Sequence, residues 1–478
     1  MNKILTGIWL ALSLGACNSG QQSTPSSSSI MANVYMTNES VQFQAQAQLT
    51  FMPNSVESAN VLIDDNVSYQ QIEGFGAAIT DSSAYLLYSL PEPIRSNTLQ
   101  QLFGSQGIGI SLIRVPISAS DFSLYNYTYD DMPVGTSDPL LNNFTIFHDY
   151  TYIIPLLKMI KAINPTIQVM VTPWSAPAWM KTNQSYIGTY NGVVGALLES
   201  DMAVYASFLT KAIQGYALNG IEINYMSIQN EPLFAPDSYG GMFMSAQQQS
   251  NFINQYLTPD FINNSIKTKV LTYDHNWDHP EYPEYVLSNL TPAAESITTG
   301  TAYHCYGGDV TTQSITHTQF PNKSIFMTEC SGGDWAPVFG DNLVWDMQNL
   351  FIGVLNNWGN GSIKWNIALD QDNGPYVGGC SNCRGLVTVN TLTNAISYNV
   401  DYYSVGNMSK FIQPGAYRIA SSSSNPNVEL TAVKNPAGQI VAMLVNSAND
   451  PQQVILRWNN QTLKFQIESQ SVAAVTWN

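Results

Sequence analysis

Residues 225–232 read Tyr-Met-Ser-Ile-Gln-Asn-Glu-Pro, a short apolar run that ends in an amide, a carboxylate and a proline. Because proline has no amide hydrogen to continue a strand ladder, the pattern predicts a strand that stops before Pro232 and leaves Glu231 at its carboxyl end. A second segment, Ile325-Phe-Met-Thr-Glu329, has the same form and is followed by Gly332-Gly333. Only 11% of the residues are charged, so two apolar strands that each end in a carboxylate need an explanation.

Eight apolar runs of this kind alternate with helical segments along most of the chain. The strand candidates are Ile72–Ile79, Ile110–Pro116, Gln168–Pro173, Tyr225–Gln229, Lys269–Tyr273, Thr298–His304, Ser324–Thr328 and Ser362–Ile367. Segments 152–163 and 202–218 carry apolar residues at three- and four-residue spacing, which is typical of helices. The alternation predicts an α/β fold, and by itself it fits either a (β/α)8 barrel or a doubly wound sheet.

The residues at the ends of these strands favour the barrel. Polar or aromatic side chains follow one strand after another, and the active sites of (β/α)8 barrels are built at that end of the strands. These residues are Thr80, Asp81, Arg114, Trp174, Asn230, Glu231, His275, His304, Tyr306, Glu329 and Trp365. An open sheet would concentrate such residues at one crevice. We therefore expect a TIM barrel over residues 71–412.

Both ends of the chain have shorter strand patterns. Residues 32–70 alternate loosely, and residues 413–478 contain runs such as Val441–Val445 and Ser471–Val475 that are separated by turn residues. Together these segments predict a side β-sandwich domain formed from both chain ends.

The N-terminus has the pattern of an export signal. Lys3 precedes an apolar run, Ile4–Leu14, which is too short to span a bilayer and leads into Leu-Gly-Ala-Cys17. These four residues resemble the lipobox of bacterial lipoproteins, whose cysteine carries the lipid. We predict a lipoprotein signal peptide over residues 1–17, lipidation of Cys17 and a flexible Ser-rich tether over residues 18–31, with a plain cleaved signal as the alternative. The protein is then exported, anchored in the envelope or released, and touches a membrane only through that lipid.

Four further cysteines follow. Export permits disulfides, and the spacing of Cys380 and Cys383 predicts a bond that closes a tight loop, with a redox or metal site as the alternative. The sequence leaves the redox state of Cys305 and Cys330 open.

Charge and composition exclude several function classes. A net charge of −17 would repel phosphate backbones and anionic lipid surfaces, so we expect no nucleic-acid partner. Zinc-ligand spacings and glycine-rich phosphate loops do not occur in the sequence, which predicts neither a metal nor a cofactor. Plentiful Asn, Gln, Ser, Thr and Tyr suit uncharged polar partners such as sugars, and we expect a monomer.

Cleavage of a glycosidic bond requires two carboxyl groups on either side of it. One protonates the leaving oxygen and the other acts at the anomeric carbon. Glu231 on the fourth strand and Glu329 on the seventh can face each other across a barrel mouth. For either glutamate alone, a structural carboxylate in a cap or salt bridge is the alternative.

Several segments resemble glycoside hydrolase family 30, the glucosylceramidase-like enzymes. They are Ile72-Glu-Gly-Phe-Gly-Ala-Ala-Ile-Thr-Asp81, Leu112-Ile-Arg-Val-Pro116, Pro173-Trp-Ser-Ala-Pro177, Gln229-Asn-Glu-Pro232, Thr328-Glu-Cys330 and Trp365-Asn-Ile-Ala-Leu369. The resemblance implies a barrel with a side β domain, and a retaining β-glycosidase with Glu231 as acid/base and Glu329 as nucleophile.

The same resemblance implies roles for other residues of the site. Substrate-binding positions are Asp121, Trp174, Asn230, Tyr306 and Trp365. Asn230 would bond the sugar 2-hydroxyl, and Arg114 matches an arginine that would keep the nucleophile ionised. His304 is a supporting residue, for which a structural role is the alternative.

The substrate is less well defined than the chemistry. The first expectation is a glucosylceramidase-like β-glucosidase that acts on terminal β-glucosides, including glycolipids. However, Cys305 stands where the animal enzymes have a tryptophan, and the loop Gly378–Gly385 resembles that of microbial members, including endo-β-1,6-glucanases. An endo-β-1,6-glucanase is therefore the alternative, and a surface lipoprotein that binds glycans without cleaving them is the alternative of another class. A narrow blind pocket would favour the first, and an open cleft with aromatic residues on both sides of the glutamates the second.

Overall fold

Eight parallel strands close into a barrel, as the sequence predicts. The computed structural model describes residues 29–53 and 58–478. The barrel strands are β1 (Gly74–Ala78), β2 (Leu112–Ile117), β3 (Gln168–Pro173), β4 (Tyr225–Ser227), β5 (Lys269–Asn276), β6 (Thr298–His304), β7 (Ser324–Glu329) and β8 (Gly361–Asn366). Each pairs with its neighbours in chain order, and β8 pairs with β1 to close the ring. Closure excludes the doubly wound sheet.

Helices surround the barrel and cover the outer faces of its strands. They are Asp81–Ser89, Ile94–Phe103, Ile153–Ile163, Met202–Leu218, Ala246–Phe252, Thr258–Asn263, Glu281–Ser288, Pro292–Ile297, Thr312–Gln319, Phe339–Asp346, Ile352–Asn356 and Val400–Ser409. The helix Ile153–Ile163 buries Ile153, Leu156, Leu157 and Ile160, the three- and four-residue spacing that identified it in the sequence. It begins one residue later than predicted, and Met202–Leu218 has the predicted bounds.

The interior of the barrel is filled with apolar side chains on its lower side. Seven strands contribute one residue each to a closed cluster, namely Leu112, Met170, Tyr225, Leu271, Ala302, Phe326 and Ile363. This layer makes the barrel a packed core and not a pore. The polar residues that follow along the same strands therefore lie above an apolar floor, at the carboxyl ends.

Strands from both chain ends form a second sheet beside the barrel. Its long strands are Met31–Thr37, Val61–Gln71, Tyr417–Ser423, Val428–Lys434, Ile440–Asn446, Gln452–Trp458, Gln461–Ile467 and Ser471–Trp477. The first of them pairs with the last. Trp458 and Trp477 lie five strands apart along the sheet, about 24 Å if it were flat, yet their ring centroids are 5.6 Å apart. The sheet therefore folds over its own apolar face, as a sandwich does.

Two predicted boundaries differ from the structure by one residue. Met31, which we assigned to the tether, is the first residue of a strand, and Gln71, which we assigned to the barrel, ends a strand of the side sheet. Cys17, the signal segment and the tether up to residue 28 lie outside the described residues, so the lipid anchor stays a prediction. Across residues 29–53 and 58–478, none of the helices is both long and apolar enough to cross a membrane.

A buried lysine joins the loops that follow β3 and β4. Lys181 has no exposed surface. Its Nζ donates to the carbonyl oxygens of Tyr186 (2.9 Å), Ile187 (3.0 Å) and Gly241 (2.7 Å), and to Ser175 Oγ at 2.9 Å. Burial lowers the pKa of this amine to about 7. The four acceptors offset part of the cost of burying this amine.

We expect Lys181→Met to destabilise the fold by at least about 2 kcal/mol, because the Gly241 carbonyl and Ser175 Oγ lose their buried donor. Chemical denaturation with an unchanged m-value measures this difference. Lys158→Met is the control, since Lys158 is exposed and on an outer helix. Equal stability of the two variants would contradict the structural role of Lys181.

Candidate active site

A buried arginine lies at the centre of the barrel mouth. Arg114 on β2 has no exposed surface. Its Nη1 donates to Glu329 Oε2 at 2.6 Å, and its Nη2 donates to Asn230 Oδ1 at 2.7 Å and to Asp274 Oδ2 at 2.9 Å. Its Nε reaches Thr172 Oγ1 at 3.1 Å. One guanidinium thus fixes side chains from β3, β5 and β7 and from the residues after β4.

Glu329, the last residue of β7, accepts hydrogen bonds on both carboxylate oxygens. Arg114 Nη1 donates to Oε2, and the Tyr306 hydroxyl donates to Oε1 at 3.0 Å. Burial of that hydroxyl and the charge of Glu329 raise the pKa of Tyr306, so the phenol keeps its proton and acts as a donor. Two donors aimed at one carboxylate hold it in a fixed orientation and stabilise its negative charge.

Glu231 lies across the mouth from Glu329. Its backbone φ is +47°, in the left-handed region, so the chain turns sharply after β4 before Pro232. His304 Nδ1 lies 3.0 Å from Glu231 Oε1, and His304 Nε2 lies 3.1 Å from Asp274 Oδ1. The imidazole therefore connects the two carboxyl groups and sets the orientation of Glu231.

The separation of the two glutamates fits retention of configuration. One carboxylate oxygen of Glu231 and one of Glu329 lie within 4.8 Å of each other. Retaining glycosidases hold their carboxyl groups about 5–5.5 Å apart, whereas inverting enzymes need about 6.5–9.5 Å to admit a water molecule. The His304 nitrogen lies within the same 4.8 Å, but each of the three groups is already engaged by a hydrogen bond within the network.

Charge balance predicts that one proton is shared within the buried cluster formed by Arg114, His304, Asp274, Glu231 and Glu329. Burial lowers the pKa of His304, but the carboxylates Glu329, Asp274 and Glu231 outweigh burial and raise it to about 9. Arg114 and His304 thus supply two positive charges against three carboxyl groups. Burial raises the pKa of Asp274, yet Arg114 and His304 bring it well below its usual range, so Asp274 is ionised. A single proton shared by Glu231 and Glu329 makes the buried cluster neutral.

The pKa values of the two glutamates shift in opposite directions. Burial raises the pKa of Glu329. Burial acts in the same direction on Glu231, but the hydrogen bond from His304 and its charge outweigh it and lower the pKa of Glu231. The two groups titrate as a pair, and the mechanism predicted from the sequence starts from the form with the proton on Glu231. In that form Glu329 is a carboxylate, and Arg114 and Tyr306 are placed to stabilise its negative charge.

The predicted sugar-binding residues surround one end of the site. Trp174 and Trp365 are buried and stack on each other at 5.2 Å, and the Arg114 guanidinium lies 4.8 Å and 5.6 Å from their rings. Trp365 borders the cleft, and so does Asp121. Burial and the charges of Glu329 and Glu231 raise the pKa of Asp121 well above its usual range, so it can donate a hydrogen bond.

A cleft of about 940 Å³ runs from Asp121 past both glutamates. It continues along the segment after β7 to Trp335 and Trp345, and Phe234 borders it on the side of Glu231. The volume is at the upper end of the usual range for ligand sites, so the cleft is larger than one sugar ring needs. Both disulfides border it: Cys380 is bonded to Cys383, and Cys305 to Cys330.

One residue of the site, Asp274, was not predicted from the sequence. Asp274, which bonds Arg114 and His304, was overlooked because the β5 candidate ended at Tyr273, whereas the strand continues to Asn276. Tyr273 and Asp274 both have positive φ, and a register shift follows Tyr273 in the pairing with β6. An acid at the end of an apolar run was the available signal, the same one that identified Glu231.

We expect His304→Gln to move the alkaline limb of the pH profile upward by about one unit. A cation beside a carboxyl group lowers its pKa, so a neutral side chain raises the pKa of Glu231 and keeps the general acid protonated at higher pH. Profiles of kcat/KM on an aryl β-glucoside measure the shift. The exposed His279 provides the control substitution to Gln. An unmoved or lowered limb would contradict the role of His304.

Comparisons with known proteins agree with this site. The profile of the glycosyl hydrolase family 30 TIM-barrel domain matches residues 72–412, and that of the family 30 beta sandwich domain matches residues 415–475. Endo-1,6-beta-D-glucanase BGN16.3 of Trichoderma harzianum is 33% identical over 407 residues, which cover 81% of this chain and 80% of the relative. The lysosomal acid glucosylceramidase of Mus musculus is 30% identical over 406 residues, covering 80% and 76%.

A solved structure is similar over nearly its whole length. The endo-beta1,6-glucanase BT3312 superposes with a TM-score of 0.84 at 30% identity, covering 93% of this chain and 99% of that one. The family profiles thus match both the barrel, which carries the paired glutamates, and the side sheet. The chain belongs to glycosyl hydrolase family 30 and is an O-glycosyl hydrolase.

Proposed function

We propose that this protein is an endo-β-1,6-glucanase that cleaves with retention of configuration. The observation that carries the proposal is the extent of the cleft, which continues beyond the catalytic pair and is lined by exposed aromatic side chains from the segments that follow both glutamates. Phe234 follows Glu231 and is 47% exposed, and Trp335 follows Glu329 and is 55% exposed. A single terminal glucose would leave these side chains uncovered. The likeness to endo-1,6-β-glucanases supports the same substrate.

The reaction follows from the placement of the two carboxyl groups. Glu329 attacks the anomeric carbon and forms an ester with it while the bond to the leaving oxygen breaks. Glu231 gives its proton to that oxygen, and the part of the glucan on the reducing-end side departs. Asn230 is placed beside Glu231 and, with its oxygen bonded to Arg114, directs its amide hydrogens to the sugar 2-hydroxyl.

The second step reverses the roles. Glu231, now a carboxylate, takes a proton from water as the water oxygen attacks the anomeric carbon and releases Glu329. Two inversions at one carbon leave the β configuration unchanged. Arg114 and Tyr306 donate hydrogen bonds that stabilise the negative charge when Glu329 becomes a carboxylate again.

A glucosylceramidase-like activity is the second candidate. The 30% identity to the mouse lysosomal enzyme favours it. The mixed lining of the cleft, in which Ser331, Asp341 and Asn342 lie among the aromatic residues, suits a hydroxylated chain better than two alkyl tails. The third candidate, a binding protein without activity, loses support because both glutamates border the cleft and face each other.

We expect the wild-type protein to shorten linear β-1,6-glucan internally, so that oligosaccharides of several lengths appear before glucose. Glu329→Gln should lower kcat by about a thousandfold or more, since the amide cannot form the covalent ester. Chromatography of the products over time, with glucosylceramide and an aryl β-glucoside in parallel, measures both points. Glu222→Gln is the control, because Glu222 is exposed and on the opposite end of the barrel. Release of glucose alone, or cleavage of glucosylceramide but not the glucan, would contradict the proposal.

A further inference from the structure

Two exposed tryptophans border the cleft beyond the catalytic pair, and neither was identified from the sequence. Trp335 lies in the segment after β7, and Trp345 lies on the helix Phe339–Asp346. Their exposed fractions are 55% and 45%. Exposure of a single apolar side chain is common in soluble proteins, but two large rings in one cleft mark a surface that a ligand covers.

The backbone segments that carry the two rings are held by strand pairing, a hydrogen bond and an ion pair. A Cβ atom at Gly333 would lie 2.0 Å from the Trp335 ring, so the indole rests directly on the glycine backbone. Gly332–Gly333 pairs with Cys383–Arg384, and Arg384 Nη1 donates to the Gly333 carbonyl at 3.2 Å. Asp346, which follows Trp345, forms a buried ion pair with Lys364 of β8 at 2.8 Å. A ring that is already fixed loses little entropy when a ligand stacks on it.

At the opposite end of the cleft, the loop that contains Gly379 packs against Asp121. Gly379 lies so close to Asp121 that a Cβ atom there would be 2.6 Å from its Oδ2, and the Val377 amide donates to the Asp121 carbonyl at 2.7 Å. Asp121 and Trp365, which the family resemblance assigns to the glycosyl unit that reacts, border this end. The part of the cleft that leads to Trp335 and Trp345 therefore receives the leaving side of the substrate.

The lining indicates an uncharged, hydroxylated ligand. None of the described residues that line this cleft is a lysine or an arginine, whereas Asp341 is among them. An anionic ligand would thus meet no cation. A pyranose ring has C–H groups on its faces and hydroxyl groups at its edge, which suit the negative face of an indole and polar neighbours such as Ser331 and Asn342.

We infer that Trp335 and Trp345 form sugar-binding subsites on the leaving-group side, which hold successive neutral glucosyl residues of the glucan. This inference rests on the proposed glucanase function. It assigns chain-length specificity to the segment after β7, while the chemistry stays with the residues around Arg114.

The test compares Trp335→Leu and Trp345→Leu on two kinds of substrate. On β-1,6-linked gluco-oligosaccharides of four to six residues we expect kcat/KM to fall about tenfold for each variant. On an aryl β-glucoside, whose leaving group is a single ring and can occupy only one of the two subsites, we expect at least one of the variants to stay within about twofold of wild type. Trp335→Phe keeps an aromatic face and should recover part of the loss. Tyr285→Leu is the control, since Tyr285 is 42% exposed on the helix Glu281–Ser288 and does not line the cleft.

Two results would overturn the inference. One is an unchanged kcat/KM of both leucine variants on the oligosaccharides while the wild type cleaves them. The other is an equal loss on the aryl glucoside in both variants, which would show that the rings only support the fold. A wild-type protein that cleaves the aryl glucoside but none of the oligosaccharides would instead contradict the proposed function, and the inference would fall with it.

Discussion

The Arg114 guanidinium has no exposed surface, and the arrangement of the active site depends on how its charge is satisfied. Burying a cation is costly unless carboxylates and further hydrogen bonds surround it. Asp274 and Glu329 supply the charge, and Asn230 and Thr172 supply neutral acceptors. Because these four residues come from different parts of the barrel mouth, satisfying one side chain also fixes the geometry of the reaction. The same guanidinium lies against the rings of Trp174 and Trp365, so the packing beside the proposed sugar site depends on it too.

Chemistry and specificity are carried by different parts of the chain. The catalytic groups lie at the ends of barrel strands, where the packed interior limits their movement. The cleft beyond them is formed by loops that are held by local devices: the two disulfides, the pairing of Gly332–Gly333 with Cys383–Arg384, and the contact of Gln470 in the side domain with Asp341. Substrate preference can then differ between family members while the reaction is unchanged.

Much of the barrel could be predicted because its strands are short, apolar and separated by helices with a clear period. The strand and helix bounds depend mainly on local sequence, and Glu231 and Glu329 were visible as acids at apolar strand ends. Asp274 was missed because the backbone there leaves the regular strand conformation, and no local sequence pattern predicts such a departure. The Cys305–Cys330 bond joins residues 25 positions apart that directly follow neighbouring strands, and the proposed roles of Trp335 and Trp345 depend on a cleft that exists only after folding. Such long-range contacts cannot be predicted from the local periodicity of the sequence.

The most direct test of the account is the anomeric configuration of the first product. Proton NMR during the first minutes of hydrolysis of a β-1,6-linked gluco-oligosaccharide distinguishes the two anomers before mutarotation mixes them. The placement of Glu231 and Glu329 predicts that the β-anomer appears first and the α-anomer only later. An α-anomer formed first would mean that water attacks directly, and it would contradict the roles assigned to both glutamates.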